Sequence, residues 1–75
     1  MIKVIIGTNT SKQTKILDPN TTLRQALEDA EIEYDRGLLH LDGAPISAGD
    51  IDKTFTSLGV TEKCFLISVV KNQNA

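Results

Sequence analysis

Apolar and polar residues alternate at the start of the chain. The stretch IKVIIG (Ile2 to Gly7) puts Ile2, Val4 and Ile6 on one face and Lys3 and Ile5 on the other. A period of two built on β-branched residues predicts a strand. TNTS (Thr8 to Ser11) is turn chemistry, and KQTKIL (Lys12 to Leu17) follows as a more polar strand, so a short antiparallel hairpin is expected. Pro19 ends that strand because it has no amide to donate. The period then changes. Leu23, Ala26, Leu27 and Ala30 fall at helical spacing behind Thr22, whose hydroxyl can cap the amide of Gln25 while Gln25 reaches back. A helix is expected from about Leu23 to Ala30 or Ile32.

The second half is less regular. LLHL is a short strand, ended by the turn pair Asp42-Gly43. From Ser47 to Leu58 the pattern suggests a long connection with one or two helical turns, pinned to the core by Ile46, Ile51, Phe55 and Leu58. KCFLISVVK is a second strongly apolar strand, bounded by Lys63 and Lys71. The order of elements predicts an α+β domain: a mixed sheet of four to five strands with one helix packed on one face. The first and last strands are the most apolar, so they are expected side by side at the sheet centre.

Composition narrows the function classes. A chain of 75 residues, 40% of them hydrophobic, makes one small domain, read here as residues 1–71 with a flexible tail at 72–75. Chains of this size bury only about 60% of their unfolded surface, which leaves no room for a large substrate cavity. Eight basic residues are scattered against ten acidic ones, for a net charge of −2. No basic stripe with interleaved aromatics is present, so nucleic acid is not an expected partner. Cys64 is the only cysteine, which excludes an internal disulfide. Lys3 interrupts the apolar start and no apolar run approaches the roughly 20 residues of a membrane span, so a cytoplasmic protein without a membrane partner is expected.

From Met1 to Val70 the sequence resembles the ubiquitin-like β-grasp family, and within it most closely the divergent small bacterial branch. The resemblance rests on the apolar first strand, on DPNTTL before the helix, on LLHLDGAPI after it, and on the closing GDIDKTFTSLGVTEKCFLISVV. It implies a β-grasp fold. Carriers of the family are activated at a C-terminal Gly-Gly, whose lack of Cβ atoms lets the tail thread a narrow site. Here Gly7, Gly37, Gly43, Gly49 and Gly59 are all isolated. The KNQNA end is therefore expected to be a frayed terminus rather than a conjugation tail.

The family also implies a shallow apolar recognition patch on the exposed sheet face, centred where His40 stands in this chain. With Ile2, Val4, Ile6, Phe65, Ile67 and Val69 turned to the helix, the outer face would present Ile5, Leu66 and Val70, flanked by Lys3, Ser68 and His40. A slip of one residue in the last strand would instead turn Phe65 and Ile67 outward. Three large apolar side chains on a solvated face could mark a contact surface for another protein or, weakly, a second copy. Isolated exposed apolar residues are also ordinary.

Other chemistry is sparse. His40, the only histidine, has Asp42 two residues on but no nucleophile in a recognisable motif. Cys64 reads as a small apolar filler, and one thiol cannot hold an iron–sulfur cluster. The acids Glu28, Asp29, Glu31, Glu33 and Asp35 oppose the helix dipole; they read as a solvated loop, with a basic partner surface as the alternative. Asp42, Asp50 and Asp52 lack calcium-loop spacing. No cofactor, no metal and no enzymatic activity are expected. The expected function is a non-catalytic adaptor that binds a protein non-covalently through Ile5, His40, Leu66 and Val70. The alternatives are a modifier or sulfur carrier with an unorthodox C-terminus, and a small acidic inhibitor.

Overall fold

A computed structural model describes residues 1–34 and 37–70. Asp35, Arg36 and residues 71–75 lie outside the described residues, and so does the expected flexibility of the 72–75 tail. Strand β1 (Ile2–Thr8) turns back into β2 (Lys12–Leu17), with Ile2 opposite Leu17 and Gly7 opposite Lys12. The turn is tight: a Cβ on Gly7 would lie 2.1 Å from the Ser11 carbonyl oxygen, so only glycine fits. Inside the turn, the Ser11 and Thr10 amides donate to Thr8 Oγ1 at 3.2 and 3.3 Å.

Helix α1 (Leu23–Asp29) starts at the expected cap, where the Gln25 amide donates to Thr22 Oγ1 at 3.2 Å. Its exit was not foreseen. The Ile32 amide donates to the Leu27 carbonyl at 2.9 Å and the Glu31 amide to that of Glu28 at 3.0 Å, with Glu31 held at φ 59°. This is a Schellman stop carried by a glutamate in the left-handed region, where glycine is the usual residue. Ile32 then packs against the core.

Strand β3 (Gly37–Leu41) is followed by a short return strand that the sequence pattern does not predict. Asp42 and Gly43 both take positive φ, 53° and 87°, and close a two-residue hairpin onto β4 (Ala44–Ile46). Leu41 pairs with Ala44 and His40 with Pro45. Pro45 is tolerated because β4 is an edge strand. A short 3-10 helix (Ala48–Asp52) and further turns lead to β5 (Lys63–Val70). The connection is tied to the start of α1: the Leu23 amide donates to the Lys53 carbonyl at 3.0 Å, and the Thr56 amide to that of Pro19 at 3.0 Å. One amide at the helix N-terminus, left without an intrahelical acceptor, is satisfied in this way.

The strand order is β2-β1-β5-β3-β4, with β1 and β5 parallel at the centre and the other neighbours antiparallel. The α+β arrangement agrees with expectation, and among the described residues the sheet has five strands. Its inner face meets Leu23, Ala26 and Leu27 of α1 and its C-cap Ala30, with Ile51, Phe55 and Val60 of the connection completing the core.

The register of β5 differs from the expected one by one residue. Val4 pairs with Cys64 and Ile6 with Leu66, and residues paired across strands share a face. Cys64, Leu66 and Ser68 therefore point inward with Val4 and Ile6, and Leu66 has 0% of its surface exposed. Leu66 is a core residue, not an outward one. Ser68 is also inside, where its hydroxyl donates to the Glu33 carbonyl at 2.9 Å and holds the chain leaving α1 against the sheet.

Candidate interaction face

The register that buries Leu66 turns Phe65, Ile67 and Val69 outward. Pairing then sets their neighbours: Ile5 beside Phe65, Gly7 beside Ile67, His40 on the other flank of Ile67, and Leu38 beside Val69. On the far side of β1, Ile16 pairs with Lys3 and Thr14 with Ile5. One sheet face thus carries an apolar band that crosses from edge strand β2 to Pro45 on edge strand β4. Ile16, Leu38 and Phe65 are 58%, 55% and 42% exposed, while Ile5, Ile67 and Val69 are half-buried.

Of the residues assigned to this face from sequence, Ile5 and His40 lie on it and Leu66 does not. The side chain of Val70 lies outside those described; its backbone pairs with Gly37. Ile16, Leu38, Phe65, Ile67 and Val69 were not assigned. Ile16 follows from the hairpin register, which sets it beside the outward Lys3. Leu38 follows from His40 by the alternation of β3.

Polar groups on this face do little chemistry. The Lys63 ammonium sits 5.4 Å from the centre of the Phe65 ring, a cation–π distance. His40 is half-buried, and its Nδ1 is buried with no hydrogen-bond partner among the described residues. Asp42 does not approach it, because its carboxylate accepts the Phe65 amide at 2.9 Å while its own amide donates to the Phe65 carbonyl at 2.8 Å. Cys64 lies inside, with its thiol pushed up to about 11 by burial and, secondarily, by the charge of Asp42. Among the described residues no nucleophile is hydrogen-bonded to His40 Nδ1, as a triad would require. Among the described residues, no group of three or more His, Cys, Asp or Glu side chains could hold a metal ion, and no helix is long and apolar enough to cross a membrane.

The opposite side of the molecule is charged and occupied with itself. Arg24 on α1 donates from Nε to Asp52 at 2.8 Å and from Nη1 to the Tyr34 hydroxyl at 3.3 Å. Tyr34 donates in turn to Glu28 at 2.8 Å. Lys53 pairs with Asp50 at 2.9 Å. Glu28, one of the clustered acids, thus serves the fold; Asp35 lies outside the described residues.

No family model and no curated protein matches the sequence. Solved structures do. A ubiquitin-like protein from Trypanosoma brucei superimposes with a TM-score of 0.69 at 20% identity over 95% of each chain. A ubiquitin-like protein from the hyperthermophilic archaeon Caldiarchaeum subterraneum does so with a TM-score of 0.50 at 18% identity, again over 95% of each chain. At such identities the likeness is one of fold. The chain has the ubiquitin-like β-grasp fold, as its sequence had suggested.

Proposed function

We propose that this chain is a non-catalytic ubiquitin-like interaction module that binds a partner protein non-covalently through the outer face of its sheet, around Ile5, His40, Phe65 and Ile67. The observation that supports this reading is the distribution of apolar surface. Among the described side chains of β2, β3 and β5 the large apolar ones left substantially exposed are Ile16, Leu38 and Phe65, all three on the face that the helix does not cover; Met1, ahead of β1, is exposed as well. Contiguous apolar surface of this kind is a feature of protein contact sites, whereas single exposed residues are not.

Site-specific photocrosslinking in cells tests the proposal. A benzophenone side chain at Leu38 should give a discrete adduct that disappears with Phe65→Glu, and the same group at Gln25 on exposed α1 should not. Equal adducts from both positions, or an adduct from Gln25 alone, would place the partner elsewhere.

A further inference from the structure

We propose that Tyr34 is a phosphorylation site, and that a phosphate on its hydroxyl takes Arg24 from Asp52 and so unlatches the 3-10 helix of the connection from α1. The site lies on the charged side of the molecule, away from the sheet face, and does not depend on what docks there.

The warrant is the place of one hydroxyl in a chain of polar groups. Tyr34, the only tyrosine, accepts from Arg24 Nη1 at 3.3 Å and donates to Glu28 Oε2 at 2.8 Å. Arg24 also lies over its ring, 5.7 Å from the centre, and reaches Asp52 through Nε at 2.8 Å and Nη2 at 3.3 Å. One guanidinium therefore joins three segments: α1, the chain leaving it, and the 3-10 helix. The network is at the surface, since the Arg24 and Asp52 side chains are 42% and 69% exposed and Tyr34 is half-buried. A phosphate placed there stays hydrated. Glu28, Asp29, Glu31 and Glu33 precede the tyrosine and are all exposed, a charge pattern that a kinase with a basic substrate cleft selects.

In the modifying step Tyr34 Oη attacks the γ-phosphorus of a nucleoside triphosphate. The bond from that phosphorus to the bridging oxygen breaks, the diphosphate leaves with its electron pair, and the phenol proton passes to the base of the kinase. The phosphate carries a charge of about −1.5 to −2 at neutral pH, and the ester oxygen has no proton left to give Glu28. Glu28 is then repelled while Arg24 is attracted. Asp52, with a single negative charge, competes for the same guanidinium against an anion with nearly two, and loses it. The junction of α1 with the 3-10 helix is left to backbone bonds, such as that from the Leu23 amide to the Lys53 carbonyl.

The test begins with the full chain, ATP and a tyrosine kinase that prefers acidic substrates, read by mass spectrometry beside a synthetic peptide of residues 28–36. The chain should gain one phosphoryl group at Tyr34. Modification of the peptide but not the chain would show that the fold hides the hydroxyl, and modification of neither would show that the acidic run is not read; either result overturns the proposal. Carboxyl and side-chain NMR of the phosphorylated chain then follows Arg24. Asp52, held below the ordinary carboxylate range by Arg24 in the unmodified chain, should titrate at higher pH, and the Arg24 Nε–H signal should stop following that titration. The Leu23 amide should exchange with solvent about threefold faster, the scale of one lost exposed ion pair. Tyr34→Phe removes the hydroxyl without adding charge and should leave Asp52 where it was. An Asp52 midpoint that the phosphate does not move, or that Tyr34→Phe moves as far, would contradict the transfer of Arg24. Collapse of the Leu27 and Leu66 methyl signals would mean that the phosphate unfolds the chain rather than unlatching it, and would overturn the proposal too.

Discussion

Replacing Leu66 by alanine deletes the Cγ and both Cδ methyl groups from a side chain with no exposed surface, packed with Ile6 under helix α1. At about 0.8 kcal/mol per buried carbon the transfer loss is roughly 2.4 kcal/mol, and the cavity left behind brings the expected cost to about 3 kcal/mol. A domain of this length has a total stability of only about 4–11 kcal/mol. The melting temperature should fall by roughly 12–24 °C, from about 4–8 °C per kcal/mol for domains of this size. Phe65→Ala, one residue away, removes a larger side chain from the outer face. Because Phe65 is already 42% exposed, the change forfeits less packing, including the cross-strand contact with Ile5 and the Lys63 ammonium, for about 1 kcal/mol. Thermal and urea unfolding followed by far-UV circular dichroism distinguishes the two variants. If Phe65→Ala destabilises as much as Leu66→Ala, or more, the register of β5 is wrong and the outer face has been misassigned.

Three further outcomes are expected. Glu31→Gly should raise stability by about 0.5 kcal/mol, because relief of a strained left-handed residue outweighs the extra chain entropy of glycine; a lower melting temperature would contradict this. Hydrogen bonding from Arg24 holds the Asp52 carboxyl below its ordinary range, and Lys53 does the same for Asp50. Folded-state values below unfolded ones give stability that is present above the unfolded pKa near 4 and is lost as pH falls through the folded values. Asp52→Asn should therefore flatten the acid limb of a melting-temperature profile below pH 4 and leave its shape at pH 6–8 unchanged. Cys64 should resist iodoacetamide at pH 8 in the native state, since burial both hides the thiol and pushes it up to about 11. It should react readily in urea, and a fast native reaction would show that the strand is not packed as described.

The parts of the fold that could be read from the chain are those where two signals agreed. In β1 the alternation of Ile2, Val4 and Ile6 is broken by Lys3 on the other face, so inside and outside were separable. In α1 the apolar spacing and the Thr22 cap began at the same place. In β5 no second signal existed, because Phe65, Ile67 and Val69 are as apolar as Cys64, Leu66 and Val70. Ser68, the one polar residue of the run, pointed the wrong way. It reads as outward until the chain leaving α1 is seen to pass over it and present the Glu33 carbonyl to its hydroxyl. That contact joins residues far apart in sequence, and nothing local announces it. Strand β4 was missed for a different reason: three residues including Pro45 are too few to show a period, although the Asp42-Gly43 turn had marked the return. The candidate face inherited both errors. Ile5 and His40 were placed by strands that could be read, Leu66 by one that could not, and the breadth of the apolar band appears only once five strands are laid side by side.

Methyl NMR of the wild-type chain bound non-covalently to the partner identified through the position-38 crosslink tests the docking reading most directly, because inner and outer side chains of the same strand report separately. Binding through the outer face predicts that Ile5, Ile16, Leu38 and Ile67 methyls shift on complex formation while Ile2, Leu27 and Leu66 stay within the spread of the free protein. Shifts concentrated at Leu23, Leu27 and Ile32, with Ile5 and Ile67 unmoved, would put the partner on the helix side and contradict it.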